Sequence, residues 1–368
     1  LPQPLTSYKK LYSVNPGSYI IYSDNEEELI EKKWYNPKIK ISNQKFNNIK
    51  NNFLSLFENS IDVRLRSDVP VGVFLSGGLD STSILHQISK KNTKVTALIC
   101  NIPDKEKFSG TTTDTDLPKK LCDDYNFKYV ETTFDYNYFN KNLIKIISHC
   151  DEFLPDNGSL IFFALAETAK KNGIKVIMTG AGGDEILGGY PWQNKIRLLP
   201  NLYIKDFLNQ KDDIKKSFLS NKKFNTGNYF LRKFYKFFQI LFQTRIWHAE
   251  TFGAGLGDFM CDKKISSDEV LNFYSKLYFK YADQVFDKSD YNHINFANIF
   301  TTINFQNYFF DIACMANSVE NRSPYLDYKL FEYMMSVPDK IKNRNGQKSI
   351  ARDILATNLP NYIIEAKK

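Results

Sequence analysis

A doubly wound, mainly parallel α/β sheet with a mainly helical second region is the fold class this chain predicts, on three observations. Up to about residue 190, short apolar runs rich in β-branched residues alternate with helical stretches, the pattern of βαβ units. Two of those runs break directly into glycine-rich, acid-bearing turns. From about Pro191 to Phe300 the chain changes to longer amphipathic runs with few strand signals. In order, Asn15-Pro16-Gly17 reads as a turn leading into a strand. Val71 to Leu75 reads as a buried strand, and Ser81 to Lys90 as a helix carrying Ile84, Leu85 and Ile88 at helical spacing. Val95 to Cys100, Lys128 to Thr132 and Lys175 to Thr179 are further strands, with helices at Asp116 to Tyr125 and Leu160 to Lys171. Asn221 to Gly227 is polar and loop-like. Ligands on such sheets sit at the carboxyl ends of the strands. Both glycine-rich turns follow strands and therefore face one crevice.

The first turn, Ser76-Gly77-Gly78-Leu79-Asp80-Ser81, has the chemistry of an anion cradle. Gly77 and Gly78 let the backbone approach an anion with no Cβ in the way, and the helix start supplies free N–H donors and partial positive charge. Ser76 and Ser81 add hydroxyls. No Gly-Lys-Ser/Thr ending makes it a Walker A loop, and no G-x-G-x-x-G makes it a dinucleotide fingerprint.

Composition fits a globular enzyme without choosing one. With 368 residues, 42% hydrophobic and 24% charged, the chain can bury one or two sizeable cores. The formal charge of +8, from 49 basic and 41 acidic residues, suits an acidic substrate, although lysine-rich solvated faces account for it better. Cysteines 100, 122, 150, 261 and 314 form no C-x-x-C pair, which suggests reduced core thiols and argues against a zinc site. No apolar run reaches membrane-spanning length; the closest, Phe234 to Trp247, is interrupted by Lys236, Gln239, Gln243 and Arg245. A cytoplasmic protein with neither membrane nor nucleic acid as partner is the expectation.

The wording Ser-Gly-Gly-Leu-Asp-Ser resembles the pyrophosphate-binding loop of the ATP pyrophosphatases, whose fold is adenine nucleotide α-hydrolase-like. Residues 174 to 190 repeat the strand-then-glycine-turn plan with Gly180-Ala181-Gly182-Gly183-Asp184-Glu185. Residues 315 to 327 carry Glu320, Arg322, Pro324, Leu326 and Asp327, an E-x-R-x-P-x-L-D pattern. The three segments, in this order and spacing, resemble the synthetase domain of asparagine synthetases from about Leu11 to the last residue. The absence of a cysteine pair separates the chain from the tRNA-thiolating members.

The resemblance implies ATP and Mg²⁺ as cofactors, a small-molecule carboxylate as substrate, and an acyl-adenylate attacked by ammonia. Aspartate is the default acceptor, and another carboxylate such as a sugar acid, peptide or β-amino acid is the rival; a non-catalytic nucleotide-binding paralogue is the third reading. Backbone N–H groups from Gly77 to Ser81 can hold pyrophosphate, with Asp80 and Asp184 as hard-oxygen ligands for Mg²⁺; each aspartate also reads as a helix cap or turn residue. By resemblance Phe74, Leu75 and Ile99 line the adenosine site, where they read equally well as strand core, and Thr179 and Gly180 touch the nucleotide. Lys368 resembles the family's lysine near the phosphates. Lys348 and Arg352, in Gly-Gln-Lys-Ser-Ile-Ala-Arg, resemble the family's K-x-x-x-R helix start, which implies that they assist the phosphates; a solvated basic face is the slightly favoured reading of them.

Three departures bear on the acceptor. Ala181 stands where the family has an acid thought to help the amine attack, Ile312 where it commonly has arginine, and Asn321 where it is usually apolar. A β-lactam-forming relative pairs a tyrosine in the first slot with a glutamate aligned with Glu320, so Glu320, Asp151, Glu152 or Asp156 can be the base. Glu320 with Arg322 reads more readily as a loop-ordering ion pair. Residues 1–45 resemble the tail of a glutaminase domain plus linker, 46–190 the ATP-binding core and 191–368 a helical region completing the site. The chain thus reads as a fragment whose ammonia comes from a glutaminase domain not present in it, and a homodimer is compatible with this.

Overall fold

A computed structural model describes residues 3–23, 28–91, 93–103, 115–151, 158–189, 304–342, 344–346, 348–356 and 359–364, together with Asn292 and Phe296. A hairpin of β1 (Ser18–Ser23) and β2 (Glu28–Lys33) precedes the main body and is exposed along both strands. Helix α1 (Phe46–Leu65) follows; its Ile49, Phe53, Phe57 and Ile61, spaced by four, form one fully buried stripe.

The main sheet holds β3 (Val71–Phe74), β4 (Thr96–Asn101), β5 (Lys128–Thr133), β6 (Val176–Met178) and β7 (Glu320–Arg322) in the order β5-β4-β3-β6-β7, every neighbouring pair parallel. Between them run α2 (Leu79–Ser89), α3 (Asp116–Asp124), α4 (Tyr136–Ser148), α5 (Gly158–Lys171) and α6 (Gly183–Leu187). Then come α7 (Asn304–Met315), α8 (Tyr328–Ser336), α9 (Asp339–Lys342), α10 (Ser349–Leu355) and α11 (Asn361–Ile364). The parallel α/β sheet is therefore as the sequence predicts. Residues 191–291, where the sequence predicts that a mainly helical region begins, lie outside the described residues, as do Cys261 and the stretch 221–227 read as a loop.

Strand alternation sorts the core into two layers. Val71, Val73, Ala97, Ile99, Val176 and Met178 point to one face and pack with α1, α2, α8 and α10. Phe74, Leu98 and Ile177 point to the other and pack with Leu165, Ala166 and Ala169 of α5 and Cys314 of α7. Phe162 of α5 stacks on Phe310 of α7 at 3.7 Å, clamping that layer. Strand order reverses between β3 and β6, so the turns that follow these two strands flank the switch point where open α/β sheets bind ligands.

Strand β7 is the addition that sequence reasoning did not make. It is three polar residues long and has no apolar run. Its place is set by main-chain pairing to β6, with Val176 opposite Glu320 and Met178 opposite Arg322.

Candidate active site

The β3–α2 turn is closed by its own serines. Gly77 takes φ of 73°, a left-handed conformation that glycine reaches without strain. The Ser76 N–H donates to Ser81 Oγ at 3.2 Å, and the two serine hydroxyls lie 3.1 Å apart. Helix α2 starts at Leu79, so Asp80 stands in its first turn beside N–H groups that have no intrahelical partner.

The β6–α6 turn comes against the first one closely enough that side chains would not fit. A Cβ built on Gly180 would lie 3.0 Å from Asp80 Cβ and 3.1 Å from the Ser81 nitrogen. One on Gly183 would lie 2.5 Å from Asp80 Cγ, and one on Gly189 would lie 1.9 Å from Asp184 Oδ1. The glycines of this second motif are thus spent on admitting two aspartates into one space. Gly182, at φ of 89°, turns the chain into α6, whose first turn carries Asp184.

Lys348 joins the two carboxylates. Its Nζ donates to Asp80 Oδ2 and lies 2.6 Å from Asp184 Oδ1, with only 5% of the side chain exposed. Its N–H donates to the Gly188 carbonyl at 3.0 Å, which anchors its backbone to the second turn. Burial alone would favour the neutral amine, but the charges of Asp80 and Asp184 and their hydrogen bonds outweigh it and lift the ammonium to about 12. The favoured reading of Lys348 as a solvated face is therefore corrected: the residue is buried, because Ser349, Ile350 and Ala351 beside it pack into the core. Arg352, one turn on, donates to the Ile364 carbonyl and holds α11.

The third motif has structural work. Arg322 forms a two-pronged pair with Glu320 at 2.8 and 3.0 Å and also donates to the carbonyls of Arg64 and Arg66, fastening the end of α1 to the sheet edge. Asp327 caps α8 and pairs with Arg64 at 3.0 Å. The Pro324 carbonyl accepts from Ser60, and Leu326 lies against Gly182. The hydrogen bond from Arg322 holds the Glu320 carboxyl below its usual range, so it is a weak base. Register puts Glu320 level with Val176, about 7 Å back from the carboxyl end of β6.

The remaining predicted residues fall as follows. Phe74, Leu75 and Ile99 are buried in the two core layers, as the strand-core reading has them. Thr179 is buried, and its hydroxyl bonds to Asn321 and Ser323 across β6 and β7. Asp151 accepts a long bond from Tyr308. Lys368, Glu152 and Asp156 lie outside the described residues.

An open cavity of about 370 Å³ lies at the β7 edge of the sheet, lined by Arg64, Asn307, Asp311, Asn321, Arg322, Ser323 and Leu326. Partial burial, then the charge of Glu320, raises the Asp311 carboxyl above its usual range. Among the described residues, no group of three or more His, Cys, Asp or Glu is placed to hold a metal. A pair of carboxylates suits an ion that keeps most of its waters, and Asp80 and Asp184 already converge on one cation, the Lys348 ammonium.

The Asparagine synthase family model matches residues 52–368. The chain is 25% identical to asparagine synthetase [glutamine-hydrolyzing] 1 of Bacillus subtilis over 372 aligned residues, covering 100% of this chain and 56% of that protein. It is 29% identical to amidase chry2 of Gibberella zeae, over 50% of this chain and 30% of that one. A U34-tRNA thiolase structure from Methanococcus maripaludis overlaps 47% of the chain and 54% of its own at 19% identity, with a TM-score of 0.27. The chain thus spans about half, or less, of the length of these curated relatives.

Proposed function

Because the chain belongs to the asparagine synthase family, we propose that it is the synthetase part of an ATP-dependent amide-forming enzyme that activates a carboxylate as its acyl-adenylate and transfers the acyl group to ammonia. The observation that carries this reading is the meeting of Asp80, Asp184 and Lys348 between the two glycine turns at the switch point. Pyrophosphate is the charge that must be stabilised as it leaves. The α2 N-terminus, with Ser76 and Ser81, offers fixed donors to it, and these cost no reorganisation during reaction. Asp80 and Asp184 are the residues that would hold Mg²⁺, which when bound would screen the phosphate oxygens. Lys348 supplies a cation for the same charge.

Aspartate is the proposed acceptor. The acid of the amine step is absent at Ala181, and of the named replacements Glu320 is compromised by its bonds to Arg322. Among the described residues, the side chains thus support adenylation more fully than amide transfer. Ammonia would come from a glutaminase domain. In support, β1 and β2 expose Tyr19, Ile20, Ile21, Tyr22, Leu29 and Ile30, an apolar surface of the kind that a packed neighbouring domain would cover. A soluble, cytoplasmic setting is part of the proposal; no helix among the described residues is long and apolar enough to cross a membrane.

The test is acid-dependent pyrophosphate release from ATP, with AMP as co-product. Release with aspartate supports asparagine formation, and release only with another acid moves the acceptor. ATP binding with no release from any acid refutes the enzyme.

A further inference from the structure

We infer that Lys348 is the resident cation of the Asp80–Asp184 pair and that its ammonium must be expelled before a divalent metal can bind there, so that metal and nucleotide enter together. The inference rests on the proposed metal role of the two aspartates and adds an order of binding to it.

The argument starts from placement. The Lys348 backbone is fixed by its bond to the Gly188 carbonyl and by its own left-handed turn, at φ of 52°, into α10. The stem is buried, and the ammonium reaches one oxygen of each aspartate. Two oxygens converging on one ammonium are already arranged for a metal ion, whose oxygen ligands come closer still, at about 2.0–2.1 Å for Mg²⁺. An ammonium and a divalent ion cannot share that point. Gly183 and Gly189 back onto the two aspartates so closely that a methyl group at either position would collide with them, which bars the carboxylates from turning toward that side.

A metal arriving alone must therefore push a buried ammonium off both of its partners, and a buried charge without a partner is strongly disfavoured. A nucleotide changes that balance. Its phosphates face the same two turns and give the displaced ammonium a new anion within the reach of its four-carbon stem. Each ligand then favours the other, and the coupling is reciprocal. Lys348 is on this account a positioning residue: it holds the two carboxylates together before the metal comes and passes to the phosphates afterwards.

Titration with Mn²⁺, followed by the electron paramagnetic resonance of the free ion, tests this with and without α,β-methylene-ATP, which cannot be cleaved at the reacting bond. For the native chain, affinity for Mn²⁺ is expected to rise about tenfold or more when the nucleotide is present, within the usual range of such couplings. In Lys348→Gln, Mn²⁺ is expected to bind about tenfold tighter without nucleotide than it does to the native chain, and the coupling to shrink. Lys348→Arg keeps the cation and is expected to keep most of the coupling. Equal Mn²⁺ affinity with and without nucleotide in the native chain overturns the exchange while leaving the metal site intact. Unchanged nucleotide-free affinity in a Lys348→Gln chain of native circular dichroism does the same. The native arm decides the matter if that variant does not fold. No Mn²⁺ binding under either condition overturns the metal assignment and the exchange together.

Discussion

Gly183→Ala isolates the contact between the two turns. The added Cβ would lie 2.5 Å from Asp80 Cγ and 2.7 Å from its Oδ1, about 1 Å inside ordinary contact, so the carboxylate has to move by that amount. Overpacking of this kind costs about 1–3 kcal/mol. Gly183 has no positive φ and opens α6, so alanine returns roughly 0.5–1 kcal/mol of helix preference. The net destabilisation is about 0–2.5 kcal/mol, and at about 2–4 °C per kcal/mol for a large domain the melting midpoint falls by a few degrees at the middle of that range. Activity responds differently, because misplacing a catalytic group by about 1 Å can cost on the order of 100-fold. The expected result is therefore a near-native melt, read by circular dichroism, with pyrophosphate release reduced about 100-fold. A variant that keeps release within about fivefold of native would refute the claim that the Asp80–Gly183 approach shapes the working site.

Lys348→Met leaves Asp80 and Asp184 facing each other largely out of water, and loss of one partner from such a group costs about 3–5 kcal/mol; an unchanged denaturation midpoint would count against the buried triad. Glu320→Gln weakens a half-exposed pair, so stability should drop by about 1 kcal/mol or less and amide formation by under about tenfold; a 100-fold loss of amide with intact pyrophosphate release would make Glu320 the base. Burial, then Lys90, lowers His86 from an ordinary 6.5 to about 4. Between those values the unfolded chain binds the extra proton, so His86 stabilises the fold above about pH 6.5 and loses that contribution as pH falls toward 4, by up to about 3 kcal/mol. His86→Gln should flatten the acid limb of a stability–pH curve, and identical limbs would exclude the residue as its source.

What could be read from the chain follows how locally each feature is encoded. β3, β4 and β6 announce themselves because both faces are buried along most of their length, which demands a run of apolar residues. Asp80 and Asp184 were legible because glycines beside them mark turns where the backbone must approach something. β7 was not: Glu320-Asn321-Arg322 has no apolar signal, and only pairing with β6 makes it a strand. Helix α1 carries a clear four-residue spacing of Ile49, Phe53, Phe57 and Ile61 that would have revealed it. Lys348 was misread because lysine is ordinarily solvated. The available signal was its neighbours, Ile350 and Ala351, which left the helix start no solvent face to offer. The third motif was legible as a pattern, but its roles were not, since Arg322 reaches carbonyls more than 250 residues earlier.

The late position of β7 and Lys348 also matters during synthesis. Thr179 meets Ser323 across 144 residues of chain, and Asp80 meets Lys348 across 268. At about 5–20 residues per second, the ribosome exposes the first aspartate roughly 13–50 s before the lysine that neutralises it. In the later part of that interval, once Asp184 and β6 have emerged, two like charges wait for the lysine and the edge of β6 that β7 pairs with stays open. The nascent polypeptide therefore cannot lock this crevice until residues 320 to 348 have emerged. A chain that has not yet reached Glu320 already carries the Ser76 to Ser81 loop but lacks both the strand that pairs with β6 and the lysine that joins the two aspartates.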